Sequence, residues 1–143
     1  MAQGNNQDLP ILIAGGGIGG LAAAYALAHK GIPVRVFEQA PEFKEIGAGI
    51  QLGPNIFRAL DKIGLKDAVL ADAHRPPAME MRCALSGERI LQIPLEDRKF
   101  FDRFQYPYAV IHRADIHGAF LRACQSNKLV TLETQRTVED YEE

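Results

Sequence analysis

The sequence predicts an α/β fold in which a helix connects neighbouring strands of a parallel β-sheet. An apolar run of strand length at 9–14 is followed by a glycine-rich turn at 15–20 and an alanine-rich helical segment. A second run with alternating valines, 33–38, then ends on a carboxylate. This order of strand, turn, helix and strand is typical of a βαβ unit with a right-handed crossover.

The glycine turn has the spacing G-x-G-x-x-G at Gly15, Gly17 and Gly20. The first glycine permits a sharp turn, the second lets a pyrophosphate approach the backbone, and the third allows close packing of helix and sheet. The free N–H groups and the positive dipole end of the helix favour phosphate. The spacing therefore predicts a Rossmann-like dinucleotide-binding turn, with an ordinary glycine-rich turn as the alternative.

Glu38 closes the second strand of this unit. An acidic residue about 20 residues beyond the first glycine can accept hydrogen bonds from ribose hydroxyls, and it would repel a 2′-phosphate. Its presence in the expected place strengthens the dinucleotide interpretation.

The elements that follow are less regular. The first helix is predicted from Gly17 to about Lys30, with Gly31 as its stop. In 39–55 the three glycines Gly47, Gly49 and Gly53 indicate backbone that bends or approaches a partner closely, and a plain loop is the alternative. Two helices, 54–63 and 65–73, and a β-hairpin at about 79–95 are predicted next.

The last third of the chain returns to the α/β pattern. We expect a loop packed on a neighbour at 96–108, a short β-run at 110–113, a helix at 114–125 and a strand at 129–134, with a further strand beginning at 137–141. The strand at 129–134 can pair beside the second strand, which gives the order third, second, first. The hairpin is then an insertion between the second and third strands.

Composition excludes several function classes. The 143 residues suffice for one modest domain, and the formal charge of −2 gives no electrostatic reason to expect nucleic acid or an anionic membrane. Cys83 and Cys124 fit no metal spacing, so we expect free thiols and a cytoplasmic protein. Residues 1–8 are polar and are predicted to form a disordered tail.

The predicted domain is incomplete. A doubly wound fold has further strands on the other side of the first strand. Since none remain in this sequence, we expect a fragment, an interrupted product or one piece of a larger assembly, with an exposed edge beside the first strand.

Four motifs in order carry a resemblance to a known family: GGGIGG at 15–20, FEQA at 37–40, EIGAGIQLGPN at 45–55 and HRADIHGAFLRAC at 112–124. Together they resemble the amino-terminal part of FAD-dependent aromatic-ring monooxygenases of the 3-hydroxybenzoate 6-hydroxylase and salicylate hydroxylase type. The resemblance covers nearly the whole chain and does not specify the substrate.

The resemblance implies a set of FAD contacts. The pyrophosphate loop would comprise Gly15, Gly17, Ile18, Gly19 and Gly20. Glu38 would bind the ribose and Gln39 would lie near the adenosine. Gly49 and Gln51 would lie in the loop that runs past the ribityl chain and the isoalloxazine. Arg113 would reach the linking region of the flavin, and the backbone of Val138 would border the adenine.

Simpler roles are open for several of these residues. Arg113 at a helix start gains nothing from the helix dipole, so the alternative to a cofactor contact is a surface ion pair. For Gln51 the equally good alternative to a flavin contact is that its side-chain amide braces the loop. Lys44 is expected to be solvated, and His112 and His117 are expected to be structural or exposed.

The resemblance implies an enzyme that uses FAD, NAD(P)H and O2 to hydroxylate a small phenolic acid. Family motifs for the substrate and for catalysis lie downstream, so no catalytic residue is assigned and the isolated chain is expected to be inactive without the rest of the enzyme or a complementary chain. A non-catalytic nucleotide-binding module that needs a partner chain is one alternative. An NAD-dependent dehydrogenase fragment is another, although EIGAGIQLGPN argues against it.

Overall fold

The computed structural model describes residues 9–45, 47–140 and 142, which divide into two compact units. The first unit comprises the described residues up to Gly47 together with those from Ala114 onward, and the second runs Ala48–Arg113. The predicted tail at 1–8 and Tyr141, in the possible last strand, lie outside the described residues.

The described residues form the following strands and helices, in chain order: β1 (Ile11–Ala14), α1 (Ile18–Ala28), β2 (Val34–Phe37), β3 (Gly49–Leu52), α2 (Pro54–Lys62), α3 (Lys66–Ala71), β4 (Ala78–Arg82), β5 (Arg89–Pro94), α4 (Arg98–Phe104), β6 (Ala109–His112), α5 (Arg113–Ser126) and β7 (Val130–Glu133).

A parallel sheet with the order β1-β2-β7 forms the centre of the first unit. Val34 is the register partner of Ile11 on one side and of Val130 on the other. The predicted order of third, second and first strand is therefore confirmed. Within the described residues, β1 pairs with β2 alone, and its Leu12 is 62% exposed.

Helices α1 and α5 bury apolar faces in the first unit. In α1 the buried residues are Leu21, Ala24 and Ala28, and in α5 they recur at helical spacing: Ile116, Ala119, Phe120 and Ala123. Gly31 has φ +82°, a conformation that suits glycine and ends the α1 segment. Both helices therefore match their predicted positions to within two residues.

The second unit contains two antiparallel pairs of strands. Strands β4 and β5 form the predicted hairpin, whose apolar residues Met79, Met81, Leu91 and Ile93 are exposed. Strand β3 pairs with β6, so the alternative of a plain loop is wrong for Gly49–Leu52. The strand was not predicted because it is only four residues long and is stabilised by a partner far away in the sequence.

The prediction of a loop at 96–108 was also wrong, because α4 forms there. The Asp97 carboxylate accepts a hydrogen bond from the main-chain N–H of Phe100 at 2.7 Å, which caps the start of the helix. Gln105 adopts a left-handed conformation with φ 63° and ends it. Residues 137–140 form no strand, contrary to expectation.

Candidate functional site

The glycine turn joins β1 to α1 through positions where a side chain would not fit. Gly15 has φ +99°, and its N–H donates to the carbonyl of Phe37 at 2.7 Å. A Cβ on Gly20 would overlap the Gly15 carbonyl, and a Cβ on Gly16 would overlap the Phe43 ring. The backbone conformation and packing therefore explain these three glycines without any ligand.

Gly17 and Gly19 have no such explanation. Neither has positive φ, and a Cβ on Gly19 would meet nothing within 4 Å. A Cβ on Gly17 would meet only a carboxylate oxygen of Glu45, at 3.9 Å. Glycine at these two positions leaves open space directly beside the start of α1, as close approach of a phosphate would require.

The start of α1 is electropositive. Gly17 is the N-cap residue and has no side chain that could cap the helix, and the first turn contains no acidic residue. The first N–H groups of a helix lack partners within the helix, and the dipole places partial positive charge there. This end of α1 can therefore accept a diphosphate.

Glu38 lies immediately after β2 and braces the turn. Its Oε2 accepts a hydrogen bond from the N–H of Gly16 at 2.7 Å, and its Oε1 accepts one from the N–H of Ala40 at 2.8 Å. The bonds from Ala40 and then Gly16 lower the pKa of Glu38 below its ordinary value, so the group is a carboxylate at neutral pH. Each oxygen retains acceptor capacity that ribose hydroxyls can use.

A cavity of about 160 Å³ lies at the carboxyl ends of β1 and β2. It is lined by Ala14, Gly15, Phe37, Glu38, Gln39, Arg136, Thr137 and Val138. One cavity is thus lined by four of the predicted contact residues, Gly15, Glu38, Gln39 and Val138.

Backbone pairing brings the segment after β7 to this cavity. The N–H of Arg136 donates to the carbonyl of Glu38 at 2.9 Å, and that of Gln135 donates to the carbonyl of Ala40 at 3.1 Å. The sequence interpretation missed Arg136 and Thr137. Their position beyond the carboxyl end of a parallel strand was the available signal, because ligands bind at that edge of such sheets.

The remaining predicted contacts belong to the second unit. Gly49 is opposite His112 and Gln51 is opposite Val110 in the β3–β6 pair, and the N–H of Arg113 donates to the carbonyl of Ala48 at 3.3 Å. The side chains of Gln51 and Arg113 are exposed. Gly49 and Gln51 thus lie on one two-stranded ladder, and Arg113 follows its β6 strand directly as the first residue of α5.

Two further side chains can now be placed. Lys44 is exposed and lies 3.3 Å from the carboxylate of Glu42, as expected for a solvated lysine. His117 is only 3% exposed, and its Nε2 lies 2.9 Å from the carbonyl oxygen of Gly16. No sequence pattern indicated that this histidine touches the glycine turn. In the part of the chain that the structure describes, no helix has the length and apolar character needed to cross a membrane.

The chain matches a protein family and several relatives of known function. The family model described as FAD binding domain matches residues 8–141. A 3-hydroxybenzoate 6-hydroxylase from Polaromonas naphthalenivorans (strain CJ2) is 51% identical over 121 residues, which are 85% of this chain and 30% of the relative.

Solved structures show the same fold. The tetrameric form of 2-methyl-3-hydroxypyridine-5-carboxylic acid oxygenase superposes with a TM-score of 0.77 at 28% identity, over 92% of this chain and 32% of that one. A Klebsiella pneumoniae HpxO variant complexed with FAD gives 0.71 at 28% identity, over 87% and 31%. The chain spans about a third of the length of these proteins.

These matches confirm the resemblance to FAD-dependent aromatic hydroxylases, of which this chain corresponds to a part. The start of α1, the open space at Gly17 and Gly19 and the fixed carboxylate of Glu38 fit the diphosphate and ribose of such a cofactor. A match across 8–141 covers nearly all of the sequence. The chain therefore belongs to the FAD binding domain family.

Proposed function

We propose that this chain is the FAD-binding portion of a flavoprotein monooxygenase that hydroxylates a small phenolic acid with NAD(P)H and O2. The observation that carries the proposal is the open space at Gly17 and Gly19 beside the start of α1, whose N-cap residue is a glycine, with an ionised Glu38 held next to it. When bound, FAD would supply the redox and oxygen chemistry, and the protein would position it.

The first unit would hold the adenosine diphosphate half of the cofactor. N–H groups at Gly17 and Ile18 would donate to the diphosphate, where the helix dipole adds favourable charge. The carboxylate of Glu38 would accept hydrogen bonds from ribose hydroxyls. Gln39 and the backbone of Val138 line the same cavity and would border the adenosine.

The second unit would contact the flavin half. Gly49 and Gln51 would lie in the segment that runs past the ribityl chain and the isoalloxazine. The guanidinium of Arg113 offers a fixed fork of donors that suits phosphate or ribityl oxygens. These assignments follow from the family motifs in which the three residues stand.

The substrate class follows from the relatives. Two of them are named for a ring that carries both a hydroxyl and a carboxylic acid, 3-hydroxybenzoate and 2-methyl-3-hydroxypyridine-5-carboxylic acid. We infer a substrate of this kind for the whole enzyme, acting in the cytoplasm. The chain alone would lack hydroxylase activity, because the remaining enzyme or a complementary chain would supply the substrate site.

A nucleotide-binding module that works only with a partner chain is the second candidate. It is favoured by the single pairing of β1 within the described sheet and by the exposure of Leu12 on that strand. A dehydrogenase fragment that binds NAD has less support, since the family match is to FAD binding domains.

Titration of the purified chain with FAD and, separately, with NAD tests the proposal. We expect quenching of flavin fluorescence with saturation, and no saturable binding of NAD. Gly17→Ala should weaken FAD binding at least tenfold, because a Cβ would occupy the space for the diphosphate. Gly118→Ala is the matched control, since its Cβ would meet only the flexible end of Arg122.

Three results would count against the proposal. Binding of NAD in preference to FAD would favour the dehydrogenase fragment. Binding of neither ligand until a complementary polypeptide is added would favour the module. Equal FAD affinity in the Gly17→Ala and wild-type chains would remove the glycine turn from the site.

A further inference from the structure

Among the described residues, His117 is the one buried residue with a polar side chain, cysteine aside, and it is 3% exposed. It lies in α5, and its ring Nε2 is 2.9 Å from the main-chain carbonyl oxygen of Gly16. A carbonyl oxygen only accepts hydrogen bonds, so Nε2 must carry the proton and donate. A buried donor without its acceptor is costly, which holds the ring in this tautomer and orientation.

The contact fixes one peptide group of the glycine turn. In a planar trans peptide the carbonyl of one residue and the N–H of the next point in opposite directions. The Gly16 carbonyl is directed at His117, so the N–H of Gly17 is directed away from His117. Gly17 borders the open space at the start of α1. The histidine therefore determines where one of the donors at that helix start is aimed.

Gly16 is held from its other side as well. Its own N–H donates to Oε2 of Glu38 at 2.7 Å, and the Phe43 ring leaves no room for a side chain on it. A change at His117 can thus reach both the diphosphate donors and the carboxylate that we assign to the ribose.

A second contact between the same two segments supplies an internal comparison. Cys124, two turns further along α5, is fully buried, and its Sγ donates to the carbonyl of Leu21 at 3.4 Å. This bond also ties α5 to the α1 segment, but it ends inside the helix and away from the turn. Loss of Cys124 should therefore loosen the packing without turning the Gly16–Gly17 peptide.

We propose that His117 is a positioning residue for FAD, which orients the Gly16–Gly17 peptide so that the N–H of Gly17 faces the diphosphate. The proposal rests on the FAD-binding function proposed above and deepens it. The residue touches no cofactor atom in this account and acts through the backbone of the glycine turn.

The test compares three variants of the full 143-residue chain. His117→Leu keeps the apolar bulk and removes the donor, whereas His117→Gln keeps a donor near the position of Nε2. We expect FAD affinity to fall about tenfold in His117→Leu and to stay within about threefold of wild type in His117→Gln. Cys124→Ala should lower the thermal midpoint as His117→Leu does, with FAD affinity within about threefold of wild type.

A readout without cofactor separates this proposal from the proposed function. Nitrogen-15 NMR of the imidazole should show a protonated Nε2 in the wild-type chain, and amide exchange at Gly16 should accelerate in His117→Leu. If the chain failed to bind FAD while these signals held, the proposed function would fail and the His117–Gly16 bond would stand. An unprotonated Nε2 would overturn the bond itself.

Other outcomes contradict the positioning role directly. Wild-type FAD affinity in His117→Leu would do so, as would equal losses in His117→Leu and Cys124→Ala, which would indicate a packing role alone. If His117→Leu does not fold, His117→Asn replaces it, because its shorter amide cannot reach the Gly16 carbonyl. FAD affinity is then expected to decrease in the order wild type, His117→Gln, His117→Asn.

Discussion

The main-chain N–H of Gly16 donates a hydrogen bond to Oε2 of Glu38 across 2.7 Å. The residue that the sequence predicts to bind the ribose is thereby also an internal support of the glycine turn. If this carboxylate also binds the ribose, as we propose, removing it should affect the stability of the turn and the affinity for the cofactor together.

Replacing Glu38 with alanine should weaken FAD binding by about 1–3 kcal/mol, because ribose hydroxyls would lose a charged acceptor and the Gly16 N–H its partner. Fluorescence titration of wild-type and variant chains measures the difference. Glu42→Ala is the matched control, because its exposed carboxylate contacts Lys44 and does not contact the turn. Unchanged FAD affinity in Glu38→Ala would remove Glu38 from the site.

The stability contributed by Glu38 should depend on pH. Hydrogen bonds from Ala40 and Gly16 lower its pKa in the folded chain from the ordinary 4.5. A group whose pKa is lowered in the folded state stabilises the fold at any pH above its pKa in the unfolded chain. This contribution is lost as the pH falls through the pKa of the folded state. The difference in unfolding free energy between wild type and Glu38→Gln should therefore be constant near neutral pH and shrink below 4.5.

Denaturant titrations of both chains across this range measure that difference. A gap that widens on acidification would show that the carboxylate is not favoured in the folded state.

The two cysteines should differ strongly in reactivity. Hydrogen bonds from the side chain and then the backbone of Ser86 lower the pKa of Cys83 to about 7, whereas burial raises the pKa of Cys124 to about 11. Because the thiolate is the nucleophile, iodoacetamide at pH 7.5 should modify Cys83 several-fold faster than Cys124. Mass spectrometry of the digested protein identifies the site.

Ser86→Ala provides the matched variant for this prediction. It should slow modification of Cys83 and leave Cys124 unaffected. Faster modification of Cys124 than of Cys83 in the folded chain would contradict the burial of α5 against α1.

Two neighbouring tyrosines should respond oppositely to loss of the hydroxyl. Tyr106 donates to Oδ2 of Asp61 at 2.9 Å, whereas the hydroxyl of Tyr108 is buried and has no hydrogen-bond partner in the described residues. Tyr106→Phe should lower the unfolding free energy slightly, because a solvent-exposed hydrogen bond to a carboxylate is lost. Tyr108→Phe should leave it unchanged or raise it by up to about 1 kcal/mol, because an unsatisfied buried hydroxyl is removed.

Equilibrium unfolding in urea measures both changes against the same wild-type curve. A larger loss for Tyr108→Phe than for Tyr106→Phe would mean that the Tyr108 hydroxyl has a partner in solution.

The α/β part of the fold could be predicted because its signals are local. Alternating Val34 and Val36, which are both buried, mark β2, and Gly31 marks the end of the first helical segment. Strand β3 could not be predicted in this way, since Gly49–Leu52 becomes a strand only through pairing with Ala109–His112. In α4 the aromatic residues have no clean period, and the capping carboxylate of Asp97 was the signal that was overlooked.

In the candidate site, too, features with a local sequence signal could be predicted and features that depend on distant partners could not. Glu38 could be assigned because its distance from the glycine motif is characteristic of dinucleotide-binding folds. The contact of His117 could not, because its partner is a backbone carbonyl 101 positions away, and a carbonyl leaves no trace in a sequence pattern. Arg136 reaches the site through main-chain bonds, which are equally invisible in side-chain identities.

An amide NMR titration of the 15.8 kDa chain with FAD tests directly whether the start of α1 and Glu38 form the cofactor site. If the start of α1 binds the diphosphate and Glu38 binds the ribose, the largest shifts should occur at the amides of 16–20 and 38–40. Shifts confined to other parts of the chain, or none at saturating FAD, would show that FAD does not bind at this site.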